Sequence, residues 1–576
     1  ENIVFKIGQE TAKEVRAHGS HWAFTPNVDV LRDPRWGRVG ETFGEVPFLV
    51  GNFGVQMIKG LQSDDFSGFD NVIACAKHFV AGSEPVNGLN VSPMDISERS
   101  LREIYLKPFK RAVDAGVYSV MAAHNEINGI PAHMHKVLLT DVMRNEFDYI
   151  IVGTGSAGSI VANRLSEKTN TKVLALEAGG SDNNFWLKIP IGYYRAIFDE
   201  RFARQFKTEP SEGSGGRSII WPRGRVLGGS SSINGLNFIR GQKEDFDDWE
   251  KLGAKGWNYD NVLSYFRKLE NYQGKESQYH GSLGNMIVSE LSNNNPSCRA
   301  WVEAAKEFGL PANDDFNGET TYGVGSYQFS STGRMRYSSA TAFLKPAMKR
   351  SNLTVKTNAL VCKVLFNKNK AIGVEWIENN EVKKAYANCE VILSGGSLQS
   401  PQILQLSGIG PAELLKKHDI PIIFDSPEVG QNLQDHYQVR GIVKLKNNNG
   451  SVNNQSRNPF KIAEWGLRWL LFGSGPLTCG AGQVGGAACS KFSKKGRPDL
   501  QFNVMPLSVD KPGEPLHNYP GFTASVWQCH PESRGSLKIK STDPKEQAEI
   551  RPEYLSTKLD QNVIVEGIKM IRSIFN

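Results

Sequence analysis

The sequence has no apolar run of about 18 residues, the length that would cross a membrane as a helix, so no membrane span is expected. Its most apolar stretch, Trp465-Gly466-Leu467-Arg468-Trp469-Leu470-Leu471-Phe472, is too short for that. It reads as a core or interface helix, with membrane-surface contact as the alternative. Cysteines are few: seven, scattered, none in a CxxC pair. That speaks against a zinc site or a redox dithiol, and no metal site is expected. The sparse, odd count points to reduced thiols and a reducing compartment, with the cytoplasm favoured. The sequence opens on Glu1 without a basic-then-apolar leader, and both ends are expected to be cuts in longer chains. An excess of positive charge is also missing. A net +7 over 576 residues is too dilute to argue for a nucleic-acid partner. Hydrophobic (39%) and charged (22%) fractions are those of an ordinary globular chain, long enough for about three or four domains.

One further absence organises the chain. Its character changes near Phe147-Asp148, yet no Pro/Gly/Ser linker separates the two sides, whereas domains usually meet in exposed linkers. Upstream, strand patterns at Trp22–Val30, Val72–Phe79 and Val117–Ala123 alternate with helical patterns at Pro47–Leu61, Ser97–Ala115 and Val137–Glu146. That alternation predicts βα units around a parallel sheet. Polar residues stand at the strand ends: Asp29, Lys77-His78 and His124-Asn125.

The strings Asp33-Pro34-Arg35-Trp36-Gly37-Arg38, Glu41-Thr42-Phe43-Gly44-Glu45, Ala76-Lys77-His78-Phe79, Met94 to Arg99 and Ser119 to Asn125 resemble glycoside hydrolase family 3 over residues 1–147. The resemblance implies part of a (β/α)8 barrel, with Arg38, Lys77 and His78 as a sugar subsite. Charged donors of this kind can hold a ring of hydroxyls. Glycoside hydrolysis needs a pair of carboxylates flanking the bond. The family's nucleophilic aspartate would follow the helix matched by Leu139–Phe147, where the sequence changes, so no hydrolysis is expected. Val46 stands where the family has Asp. Glu41 and Glu45 read as a solvated turn rather than as catalytic groups.

Downstream, Asp148–Val152 has a buried-strand pattern and runs into Gly153-Thr154-Gly155-Ser156-Ala157-Gly158. A helical pattern then covers Ser159–Ser166, and a second strand, Lys172–Leu176, ends at Glu177. A GxGxxG string alone is weak evidence; in a strand–loop–helix–strand–acid order it is the Rossmann dinucleotide fingerprint. Gly153 permits the tight turn, Gly155 lets the backbone approach a pyrophosphate, and Gly158 lets helix and strand pack closely. The helix start at Ser156-Ala157 faces phosphate, and Glu177 accepts from a ribose hydroxyl.

Pro222-Arg223-Gly224-Arg225-Val226-Leu227-Gly228-Gly229-Ser230-Ser231-Ser232-Ile233-Asn234 resembles the first signature of the glucose-methanol-choline oxidoreductases. Gly396–Leu404 with Leu406–Gly410 resembles the second. Val429–His436 and His530–Gly535 match as well, so the resemblance covers 148–576 and is nearest to choline dehydrogenase-like enzymes. It implies FAD, held also by Arg225, Gly228, Gly229, Ser230 and Asn234, with Val361 at the adenine. His436 and His530 belong to structural motifs of the family. Its catalytic His is expected beyond Asn576, so the implied oxidation of an alcohol CH–OH is expected to be lost.

The expected architecture is α/β: a partial barrel in 1–147, then an FAD-binding domain in 148–300 and 341–435. A substrate domain on an antiparallel sheet is expected in 301–340 and 436–576. The expected chain is a chimera. Its partners are a small-molecule alcohol and an electron acceptor left open among oxygen, a quinone or another carrier. A β-glycosidase fragment, or an inert fusion produced by sequence assembly, are the alternatives.

Overall fold

The structure is a computed structural model that describes residues 1–63, 68–135, 138–139, 146–291, 295–446, 450–480, 482–494, 496–511 and 513–576. It divides into two units, Glu1–Asn145 and Glu146–Asn576.

The first unit is an open three-stranded parallel sheet, in the order Trp22–Ala23, Ile73–Phe79, Ser119–Ala122. The helices Pro47–Gln62 and Leu106–Asp114, the latter continuing a π turn at Leu101–Tyr105, bury Ile58, Leu61, Tyr105 and Phe109 in one core with Ala74, Ala76 and Phe79. The expected strand Trp22–Val30 is corrected to Trp22–Ala23 plus a single bridge from Asn27 to Lys77. Pro26 has no N–H to give the ladder, although its carbonyl and that of Thr25 still accept from Lys77 and Cys75. A barrel is not formed by these three strands. The helix expected over Val137–Glu146 lies largely outside the described residues, and Glu146 opens a strand instead. An N-terminal helix, Asn2–Ala17, was not anticipated.

In the second unit a six-stranded sheet runs Leu353–Lys356, Val173–Leu176, Glu146–Val152, Glu381–Leu393, Lys370–Glu378, Leu360–Asn367. The first four strands are mutually parallel, and the last two add an antiparallel ribbon. Strand order reverses beside Glu146–Val152, between Val173–Leu176 and Glu381–Leu393. In open α/β sheets such a reversal opens a crevice at the strands' carboxyl ends. The first strand is buried from Ile150 to Val152 and feeds the helix Ser156–Leu165, as expected.

A second sheet is antiparallel throughout: Gly323–Ser326, Val484–Ala488, Leu500–Met505, Gly521–Gln528, Val439–Lys444. The helices Pro296–Glu307 and Lys558–Phe575 contribute Trp301, Val563 and Ile571 to the core it shares with Phe502 and Val526. Gly567 permits the close approach of the last helix, since a Cβ there would sit 2.7 Å from the Val526 side chain. The stretch around Trp465 is helical over Pro459–Phe472, but it is no core helix, because only Trp465 is buried in it. Among the described residues no helix is long and apolar enough to cross a membrane. All seven cysteines are free.

Candidate functional site: a glycine-lined cavity at the strand ends

Three strands of the six-stranded sheet end together. Val152-Gly153, Leu176-Glu177 and Leu393-Ser394 line one cavity of about 700 Å³. Gly153 takes φ +92°, a left-handed turn that glycine adopts without strain, and a Cβ there would press on the Ser394 carbonyl at 2.7 Å. Gly155 caps the helix Ser156–Leu165. A Cβ at Gly155 would meet nothing nearer than the Gly229 Cα, at 3.9 Å, so this residue leaves space open at the cavity. Gly229, at φ +53°, returns the approach: its own Cβ would fall 2.7 Å from the Gly155 Cα. Two distant loops therefore meet glycine to glycine.

Glu177 is buried at the end of its strand. Its Oε2 accepts from the Thr154 N–H and hydroxyl, each at 2.9 Å, and its Oε1 accepts from Gly179 N–H at 2.9 Å. Burial pushes this carboxyl's pKa up, against those hydrogen bonds.

Eight of the twelve residues expected around the cofactor line the cavity: Gly153, Gly155, Ser156, Ala157, Glu177, Gly229, Ser230 and Val361. Four do not. Gly158 packs inside its helix, where a Cβ would collide with the Gly153 carbonyl. Arg225 turns its Nε to the Ala178 carbonyl at 3.2 Å, and Gly228, at φ +84°, donates its N–H to the Thr154 carbonyl at 3.0 Å. Asn234 accepts from Arg336 on its side-chain oxygen at 2.7 Å and on its carbonyl at 2.6 Å. These four shape the loops rather than the cavity wall.

Ser394-Gly395-Gly396-Ser397 were not singled out as contacts, yet they line the cavity at the start of the helix Gly396–Leu406. The signal was present in the sequence as a second strand–glycine–helix junction. Two helix N-termini with free N–H groups thus open on one glycine-lined space, an arrangement suited to a dinucleotide's phosphates.

His436 and His530 lie elsewhere, beside a different cavity. His436 Nε2 contacts the Cys529 carbonyl at 3.1 Å, and His530 Nε2 contacts Asp245 Oδ1 at 2.7 Å. Among the described residues no cluster of three or more His, Cys, Asp or Glu is arranged to hold a metal.

In the first unit the strand ends gather Asp29, Arg38, Glu41, Lys77 and His78. His78 is gripped through Nδ1 by buried Asp29 at 2.8 Å and touches Arg38 through Nε2 at 3.0 Å. Arg38 makes a two-pronged pair with Glu41 at 2.8 and 2.6 Å, and Lys77 stands 3.9 Å from the same carboxylate. Glu41 ends the short 3-10 turn Val39–Glu41 with its side chain exposed, as expected, and Arg38 holds its carboxyl below the usual range.

The family model described as "GMC oxidoreductase" matches residues 147–438, and a second model of the same description matches 531–576. The family's second region is thus represented from residue 531 on. "Glycosyl hydrolase family 3 N terminal domain" matches residues 1–183, overlapping the first. Human mitochondrial choline dehydrogenase is 37% identical over 439 residues, covering 75% of this chain and 73% of that one. An alcohol dehydrogenase [acceptor] of Pseudomonas putida is 38% identical over 441 residues, covering 75% and 78%. Among solved structures, a formate oxidase of Aspergillus oryzae RIB40, described for its FAD modification, aligns with a TM-score of 0.69 at 26% identity. It covers 75% of this chain and 81% of its own. Together with the cavity these likenesses indicate FAD as the cofactor. The chain belongs to the GMC oxidoreductase family.

Proposed function

We propose that the protein is an FAD-dependent oxidoreductase acting on the CH–OH group of a small alcohol, with choline as the first candidate. The observation that carries this is the main-chain-lined cavity where Gly153–Ala157, Glu177, Gly229 and Ser394–Gly396 converge. The amide groups at the two helix starts hold the pyrophosphate, and the bare Gly155 gives it room. Glu177 accepts from the adenosine ribose, and Val361 lies along the adenine. Gly229 and Ser230 border the ring. Arg225, Gly228 and Asn234 keep their loop in shape from outside the cavity, and Gly158 does so for the first helix. When bound, FAD supplies the acceptor for the hydride that leaves the alcohol carbon. The likeness to choline and alcohol dehydrogenases favours a small alcohol and a separate electron acceptor.

A second reading is an FAD-binding chain without turnover. Anaerobic titration with choline decides between the two. Bleaching of the flavin's visible band supports the oxidoreductase. A band that stays unbleached by choline and other small alcohols supports the second reading, and protein that never acquires the band overturns both.

We further infer that the first unit descends from a glycoside hydrolase family 3 barrel. Arg38, Lys77 and His78 are a remnant sugar subsite, in which Glu41 now pairs with the two cations and Asp29 holds the imidazole. The family's nucleophile would follow Phe147, where the sequence changes, so an aryl glucoside should not be turned over.

A further inference from the structure

One face of the five-stranded antiparallel sheet carries a polar row that leads toward the flavin loop. Arg440, on Val439–Lys444, stands directly opposite Ser525, on Gly521–Gln528, and Ser525 stands opposite Asn503, on Leu500–Met505. Directly paired residues share a face, so these three side chains form one row across three strands. Their neighbours along the strands look the other way. Val526 and Val504 enter the core with the last helix, and a Cβ at Gly441 would touch Ile571 of that helix at 3.1 Å. The row is short of partners. Ser525 is fully buried, yet its hydroxyl has no hydrogen-bond partner, and neither has the buried Oδ1 of Asn503. The Asn503 amide lies against Gly482, where a Cβ would collide with it. The Gly482 carbonyl accepts from Asn237 at 3.3 Å, and the Oδ1 of Asn237 is buried and unpartnered as well. Buried polar groups are nearly always paired, so three unpaired ones in one row mark a place that a polar ligand completes.

Charge gives that ligand a sign. Arg440 is half-buried and Arg336 is buried, and among the described residues no carboxylate lies within 4.0 Å of either. Arg336 donates only to neutral acceptors, the Ser231 carbonyl at 3.0 Å and Asn234, and its Nε is buried without a partner. These acceptors belong to the loop whose start borders the flavin ring in the reading above. Tyr193 senses both cations. Burial, and then Tyr194, pushes its pKa up to about 12, while Arg440 and Arg336 pull it down. Burial likewise lowers the pKa of Arg440, against the two tyrosines. A cation withdrawn from water is costly without a counter-charge, and here two of them surround one tyrosine with none. A carboxylate fits such a place, since its two oxygens match the fork of a guanidinium.

We propose that Arg440, with Ser525 and Asn503, recognises a carboxylate on the alcohol that is oxidised, so that the substrate is a small hydroxy acid. This rests on the oxidoreductase reading above and narrows its alcohol. Choline, the candidate that likeness suggests, would bring a further cation to a face already without negative charge.

The test has two readouts on the full chain. Calorimetry measures binding of two unreactive probes, acetate and tetramethylammonium, and anaerobic bleaching of the flavin band compares glycolate, ethylene glycol and choline. Acetate should bind and tetramethylammonium should not, and glycolate should bleach the band fastest. Arg440→Gln should weaken acetate binding by about tenfold or more, and Arg440→Lys should restore part of it. Ser525→Ala should weaken it several-fold while keeping the wild-type circular dichroism, because its hydroxyl bonds to no other group. Wild-type protein that binds tetramethylammonium as well as acetate, or binds neither, would overturn the proposal. So would Arg440→Gln or Ser525→Ala variants, folded by circular dichroism, that bind acetate like wild type. Faster bleaching by choline or ethylene glycol than by glycolate would overturn it too, yet leave the oxidoreductase reading standing. Acetate binding that Arg440→Gln abolishes, with no bleaching by any alcohol, would support the carboxylate site and sink the oxidoreductase reading instead.

Discussion

At the level of single residues, the glycines of the first loop divide by what a side chain would meet. At Gly155 a Cβ has open space, so Gly155→Leu should fold and lose FAD; visible absorbance of the purified protein reads the loss, and circular dichroism reads the fold. At Gly158 a Cβ strikes the Gly153 carbonyl, so Gly158→Ala should instead cost stability, about 1–3 kcal/mol in urea denaturation. FAD retained by the Gly155 variant would remove the phosphate assignment. A second residue-scale prediction concerns His280, buried between Glu270 and Asp315 at 3.0 Å on each side and stacked on Tyr272. Burial pushes its pKa down, but hydrogen bonds and charge from Asp315 and Glu270 outweigh this and raise it to about 9, above the ordinary 6.5. A raised folded-state pKa means that the stabilisation is complete below about pH 6.5 and is lost as pH climbs through 9. Unfolding free energy should therefore fall by on the order of 3 kcal/mol across that window, and His280→Gln should flatten the slope. Equal slopes for the two proteins would dismiss the assignment.

Among the elements, the C-terminal helix Lys558–Phe575 is the clearest case of tertiary packing. Ile571 is buried against the antiparallel sheet, so Ile571→Ala should cost about 2–5 kcal/mol in chemical denaturation. A loss below 1 kcal/mol would mean that the helix is not docked as described. From Val563 onward an apolar period that continues to Ile574 marks this helix in the sequence. Its first turn was not, because Lys558 to Asn562 are mostly polar and the start is set by the Thr557 side chain accepting from Asp560 N–H at 3.2 Å. The dinucleotide unit was legible for a similar reason: glycines at fixed offsets between two apolar strands. The helix Asn2–Ala17 was missed because it packs through Gly8 and Ala12 while Ile3 and Ile7 stay exposed, so hydrophobicity does not mark its inner face. Pro459–Phe472 was legible as a helix but not in its orientation. Periodicity tells which residues share a face and says nothing about which face turns inward. Arg225, Gly228 and Asn234 were read into the cavity because a signature loop does not reveal which of its residues look in and which hold its shape.

For the whole molecule, the two units differ in how their sheets are closed off. The first rests on three strands of two, seven and four residues, with Trp22–Ala23 and Ser119–Ala122 as open edges. The second has two sheets of six and five strands, each with its own core. Limited proteolysis in mild urea should cut first between residues 1 and 145, and mass spectrometry should find a resistant fragment starting near Glu146. First cuts within 146–576, with 1–145 left whole, would reverse this order of stability. The strand Glu146–Val152 has a consequence of another kind, in time rather than in space. One neighbour, Val173–Leu176, follows it closely, but the other, Glu381–Leu393, is made about 240 residues later. At about 5–20 residues per second, a ribosome leaves Tyr149-Ile150-Ile151-Val152 without that partner for roughly 10–50 s. During each round of synthesis this apolar strand therefore presents a bare hydrogen-bonding edge, long enough for a chaperone, or a neighbouring nascent chain, to reach it first.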